Sequence, residues 1–212
     1  MKLTSNNFAD NGRIPGALAF AVPDPAQHVR LSSNRNPHLR WTDAPKGTQS
    51  FAVICHDPDV PSKPDNVNQE GRTVPKSLPR VDFFHWALID LPASPGGIGE
   101  IGEGEFADGV TPRGKKGPGA AHGARQGIND YTAWFAGDKD MGGNYFGYDG
   151  PCPPWNDEIM HHYVFTTYAL DVPKLSVSGD FACRDALKAM EGHILDRAVL
   201  IGTYTLNPKL GA

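Results

Sequence analysis

Three short stretches of the chain place carboxylate, imidazole and phenol groups where an apolar run has to change direction. The first is His56-Asp57-Pro58-Asp59-Val60-Pro61, directly after the apolar run Ser50–Cys55. Pro58 and Pro61 fix φ and withhold N–H donors, so the spacing predicts that the strand stops here and turns. One aspartate after a strand commonly just caps its own turn. Two aspartates, Asp57 and Asp59, locked between two prolines form the kind of rigid carboxylate pair a ligand site needs. The second is His85 within Asp82-Phe83-Phe84-His85-Trp86-Ala87-Leu88. Strand alternation puts it on the face of Phe83, Ala87 and Ile89. There it is either a hydrogen-bonded core residue or a ligand contact whose tautomer and charge a nearby carboxylate would set. The third is Gly150-Pro151-Cys152-Pro153-Pro154, followed by His161-His162-Tyr163-Val164-Phe165. The prolines form a stiff wall; His161 and Tyr163 then share one face of a strand and His162 takes the other.

These groups suit binding of a phosphate-like anion. A carboxylate beside His85 or His161 favours the charged imidazole, which donates to phosphate oxygens. A turn can aim backbone N–H groups at the same anion, and Asp57 or Asp59 can accept the ammonium of a zwitterionic head group. Phosphate affinity is then expected to weaken as pH rises from 6 to 8. The same four residues could instead serve a hydrolase, with or without metal. No G-x-S-x-G elbow or H-E-x-x-H pair is present, and adjacent His161 and His162 point opposite ways, so they do not chelate together. Cys152 near His161 is the one candidate thiol nucleophile. The balance favours a binding protein with no cofactor and no metal over an enzyme.

Short apolar runs must hold these residues in place. Leu18–Val22, Ser50–Cys55, Phe83–Leu91, Tyr163–Leu170 and Ala198–Leu206 read as strands. Phe83–Leu91 is nearly continuously apolar, as a strand covered on both faces would be. One helix is expected over Phe181–Leu195, with Asp180 as N-cap and Cys183, Leu187, Met190 and Ile194 on its apolar stripe. Two long irregular stretches remain, Pro61–Arg80 and Pro92–Asp130, longer than the ~12–15 residues usual for loops without a function. Gly-rich loops carrying Phe106, Trp134 and Phe135 could close a homodimer interface or act as a lid.

The chain has 212 residues, 39% of them hydrophobic, with 24 glycines and 19 prolines. This predicts a single, mainly β domain over residues 1–212, rich in loops. A net charge of −4 argues against a nucleic-acid partner. No apolar run reaches the ~20 residues of a membrane span, and Met1–Asn7 lacks the apolar core of a secretory leader. The three cysteines, 55, 152 and 183, form no disulfide framework. A cytoplasmic location is therefore expected.

The order Asp-Pro-Asp-x-Pro, Phe-His-Trp, Gly-Pro-x-Pro-Pro, His-x-Tyr-x-Phe, then a late helix and a last strand, resembles the phosphatidylethanolamine-binding protein family, also called Raf-kinase-inhibitor-like proteins, in its bacterial branch. The resemblance implies a Greek-key β-sandwich of two antiparallel sheets with a C-terminal helix. It also implies a pocket for phosphate or phosphorylated head groups, and a protein partner such as a kinase or protease. Carried over by motif, the ligand-binding residues are Asp57, Asp59, His85, Pro153, Pro154, His161 and Tyr163. Where many relatives have arginine, this chain has His162. The stretch Trp134–Tyr145 intervenes as extra chain between a loop motif, Asn129-Asp130-Tyr131, and the proline wall.

Overall fold

Alternation in the longest apolar runs sets the architecture. Phe51, Val53 and Cys55 point into one apolar cluster; Ala52 and Ile54 point into a second on the opposite face. A strand buried on both sides this way lies at the centre of a sheet. The computed structural model describes residues 1–93 and 99–211. In chain order the strands are β1 (Lys2–Thr4), β2 (Gly12–Arg13), β3 (Ala21–Asp24), β4 (His28–Leu31), β5 (Leu39–Thr42), β6 (Ser50–Pro61) and β7 (Arg80–Pro92). They continue with β8 (Gly99–Ile101), β9 (Arg125–Gln126), β10 (His161–Leu170) and β11 (Ile194–Tyr204). Among the described residues two α-helices, α1 (Tyr131–Trp134) and α2 (Cys183–Met190), and three short 3-10 turns complete the mainly β fold.

The main sheet has six strands in the order β2-β11-β10-β6-β7-β9; a three-stranded sheet, β1-β5-β8, and the β3-β4 hairpin stand apart from it. Among the described strands pairing is antiparallel except between β2 and β11. The first cluster fills the space between the six- and three-stranded sheets, where Leu3, Leu39, Trp41 and Ile101 meet Phe51, Val53, Trp86 and Phe165. The second seals the other face of the main sheet under α2, whose Cys183, Ala186 and Met190 pack on Ile54, Phe84, Ala87 and Ile89. Among the described residues no helix is long and apolar enough to cross a membrane.

Four sequence expectations are corrected. The strand after Ser50 does not stop at Pro58. It runs to Pro61, with ladder shifts at Cys55/His56 and between Asp57 and Val60 that carry Pro58 past the missing donor. His85 does not share a face with Ala87 and Ile89. Cys55 pairs with Trp86 and His56 with Phe84, so a bulge at His85 reverses the parity of β7. Leu18–Val22 is not one strand: Gly16–Leu18 is a 3-10 turn and β3 begins at Ala21. The late helix covers only Cys183–Met190. Ala182, not Asp180, caps it, with the Asp185 carboxylate accepting from the Ala182 N–H at 2.9 Å. Gly192 at φ +81° reverses the chain, and Ile194 opens β11 instead of closing the helix.

A side chain from outside the 61–80 loop holds it in place. The Asn156 amide donates to the carbonyls of Asn66, Gln69 and Arg72, and pins the 61–80 stretch to the chain after the proline wall. The 92–130 stretch contributes β8 and β9, while its residues 94–98 lie outside the described part of the chain.

Candidate functional site

The bulges that disturb β6 and β7 sit side by side on the main sheet, and together they aim Asp57 and His85 at the same point. Parity on β10 brings His161 and Tyr163 to meet them, as the sequence predicts. These four residues line one cavity of about 620 Å³, with Pro153 and Pro154 in its wall. Asp59, expected beside Asp57, is not among the lining residues. Its carboxylate is turned outward and accepts from the Nδ1 and backbone N–H of His162 at 2.8 and 2.9 Å. The backbone N–H of Asp59 instead donates to Asp57 at 2.7 Å, which fixes the Asp57 carboxylate.

His161 is fully buried and both of its ring nitrogens are occupied. Nδ1 lies 2.7 Å from Asp57 and Nε2 3.2 Å from Asp157. Burial by itself would lower its pKa, but the two carboxylates outweigh that and lift it to about 9. His161 is therefore an imidazolium at neutral pH with no N–H left for a ligand. Arg80 closes the network with two bonds to Asp157, at 2.6 and 3.0 Å, and one to the Asp59 carbonyl at 2.9 Å. Although burial pushes Asp157 up, its bonds from His161 and Arg80 hold its pKa below the ordinary value. Two cations thus balance two carboxylates beneath the cavity floor. That balance removes the repulsion an anion would otherwise meet at Asp57.

His85 is equally buried but opposite in character. Burial keeps its pKa below the usual 6.5, against the pull of Asp57 and the Asp149 carbonyl. Neutral His85 carries its proton on Nδ1 and donates it to the Asp149 carbonyl at 2.8 Å, which leaves Nε2 to the cavity. The Tyr163 ring stands edge-on to it at 5.2 Å. Tyr163 is 1% exposed and its hydroxyl has no hydrogen-bond partner. Burial raises its pKa, and the Asp57 carboxylate adds to the rise, yet Asp57 does not accept a hydrogen bond of good geometry from it.

Sequence reading missed the supports of this pair. The buried Asp149 carboxylate accepts from Asn34 at 2.8 Å and Asn129 at 2.7 Å, with the Lys115 ammonium at 3.1 Å. Burial raises its pKa; those three partners oppose the rise. Asn129 also donates to the Gly147 carbonyl and accepts from the Tyr131 N–H. The Tyr131 ring, held by its hydroxyl on the Gly150 carbonyl at 2.8 Å, packs edge-on to His85. The signal available was Asn129-Asp130-Tyr131 ahead of Asp149-Gly150-Pro151, but nothing local says which backbone groups those polar side chains bind.

Cys152 lines the cavity, but burial pushes its thiol up to about 12, far from a thiolate at neutral pH. Among the described residues no three histidine, cysteine or acidic side chains are grouped as a metal ion would need.

The model of the phosphatidylethanolamine-binding protein family matches residues 4–205. A UPF0098 protein of Methanothermobacter thermautotrophicus is 31% identical over 206 residues, 96% of this chain and 98% of its own length. The UPF0098 protein YbhB of Escherichia coli is 30% identical, covering 84% of this chain and 82% of its own. Among solved structures, the phosphatidylethanolamine-binding protein homolog CT736 of Chlamydia trachomatis superposes with a TM-score of 0.61 at 28% identity, over 96% of this chain and 95% of its own. With the Asp-Pro-Asp strand, the histidine strand and the proline wall meeting at one cavity, and the family match running almost end to end, the chain belongs to the phosphatidylethanolamine-binding protein family.

Proposed function

We propose that the cavity binds a small phosphate-bearing anion, free or as a phospholipid head group, and that the protein acts by binding it. The observation that carries this reading is the unpartnered Tyr163 hydroxyl beside the free Nε2 of His85. A buried hydroxyl with no partner costs about 1–3 kcal/mol, a cost an incoming oxygen acceptor removes. Both residues line the same cavity, and Arg30 and Lys63 line it with positive charge. The family's name supports the same ligand chemistry.

The role of the histidines differs from the sequence expectation. His161 is charged but has no proton to donate to a ligand, so it neutralises Asp57 from behind. His85 is the donor, and it must take up a proton when the anion arrives. Calorimetric titration with inorganic phosphate at pH 6 tests this. The wild-type chain should bind, and His85→Ala should lose at least about tenfold in affinity, the worth of a charge-assisted hydrogen bond. Undiminished binding by His85→Ala would contradict the reading.

Hydrolysis is a second reading, favoured by one observation: neutral His85 with a free Nε2 is also the state of a general base. Appearance of inorganic phosphate from a bound monoester, followed by phosphorus NMR, would support it over simple binding.

A further inference from the structure

The cavity is much larger than a free phosphate needs, and its mouth is apolar. Phe20, Tyr131 and Phe135 form one packed aromatic group, with Phe20 and Tyr131 stacked at 4.6 Å and Tyr131 and Phe135 at 5.6 Å, each pair within 14° of parallel. Trp134 and Met141 extend this wall outward, and Leu31 on the β3-β4 hairpin also lines the cavity. Trp134 is 50% exposed and Leu31 48%. Large apolar side chains left half in water at a cavity mouth mark the place where a ligand's own apolar surface is covered.

The wall is a built feature. Its segment starts at α1 and bends through a turn in which the Asp138 carboxylate accepts from the N–H groups of Asp140 and Met141, both at 2.8 Å. The Tyr145 hydroxyl then donates to the Met141 carbonyl at 2.5 Å. This is the Trp134–Tyr145 stretch between the Asn129-Asp130-Tyr131 motif and the proline wall. Arg30 and Lys63 lie on the same cavity, so an apolar body here would still be tied to a negative charge.

Resting on the reading that the floor takes an anion, we propose that the ligand is a compact amphiphilic monoester, an aryl or short-alkyl phosphate. Its anionic end lies on His85 and Tyr163, and its apolar body lies against Trp134, Phe135 and Met141. Trp134 and Met141 are then specificity-determining residues. A cavity of about 620 Å³ lies inside the ~300–1,000 Å³ range of sites for compact ligands, and it is too small to enclose two long acyl chains.

The test compares inorganic phosphate with phenyl phosphate by calorimetry at pH 6, using the whole chain. The ratio of the two affinities is the readout. In the wild type, phenyl phosphate should bind at least about tenfold more tightly, the gain from burying one ring. In Trp134→Ser/Met141→Ser the ratio should fall to within about threefold. Leu31→Ser, a half-exposed position that cannot endanger the core, should lower it independently. Equal affinity of the two ligands in the wild type, or a ratio unchanged in these variants, overturns the inference while leaving phosphate binding intact. Failure of both ligands to bind removes the anion reading and this one with it.

Discussion

Two buried histidines on the strands that flank β6 do opposite work, and their partners decide which. His161 has a carboxylate on each nitrogen and is held charged; His85 has one carbonyl and is held neutral. From the sequence both are simply histidines near aspartates. Their roles depend on Asp157, which lies four residues before His161 but is locked by Arg80, seventy-seven residues away. The lone hydroxyl of Tyr163 gives a sharp prediction. Tyr163→Phe removes a buried hydroxyl that satisfies nothing in the folded chain, so stability in urea should hold or rise by up to about 1–3 kcal/mol. Phosphate affinity should fall by about tenfold in the same variant. A destabilised variant with full affinity would mean the hydroxyl bonds to the protein instead.

At the scale of elements, the long apolar strands were legible and their interruptions were not. β6, β7, β10 and β11 follow from runs of alternating or continuous apolar residues. Pro58 reads as a stop because proline cannot join a ladder; a bulge absorbs it, and a bulge is a property of the strand pair. The parity slip at His85 has the same origin. The sequence pattern overstates the helix because Ile194 continues the apolar stripe past Met190, although Gly192 has already turned the chain. Strands of two to four residues such as β2 and β9 carry too few side chains to show any period. The turn joining Gly147 to Gly150 also depends on a distant side chain, Asn129. Asn129→Ala removes its bonds to Gly147, Asp149 and Tyr131, and should cost about 2–4 kcal/mol in urea unfolding and weaken phosphate binding. A loss under 1 kcal/mol would show that the turn holds without it.

For the molecule as a whole, the main sheet is sealed on one face by the three-stranded sheet and on the other by α2. Its charged network lies at one end, where the bulges open the ladder. Stability should carry the signature of that network. The folded pKa of His161 is about 9, above its unfolded value near 6.5, so its contribution is complete below pH 6.5 and is lost as pH rises through 9. Urea unfolding should show a decline of about 3 kcal/mol across that window. The depressed His85 acts in the other direction, lowering stability as pH falls below 6.5, and so leaves the window clear. A flat profile from pH 6.5 to 9 would contradict a charged His161. The 61–80 loop supplies part of the cavity's outer wall through Lys63 and Val67, and α1 with the segment after it supplies the rest through Trp134 and Met141. The most direct test of anion binding at His85 is proton uptake. Sulfate keeps its charge between pH 5 and 8, so calorimetry of sulfate binding at pH 7, in buffers of different ionisation enthalpy, counts only protons taken up by the protein. Sulfate binding should take up close to one proton, and that uptake should vanish in His85→Ala. Binding with no proton uptake, or uptake that survives the substitution, would contradict the account.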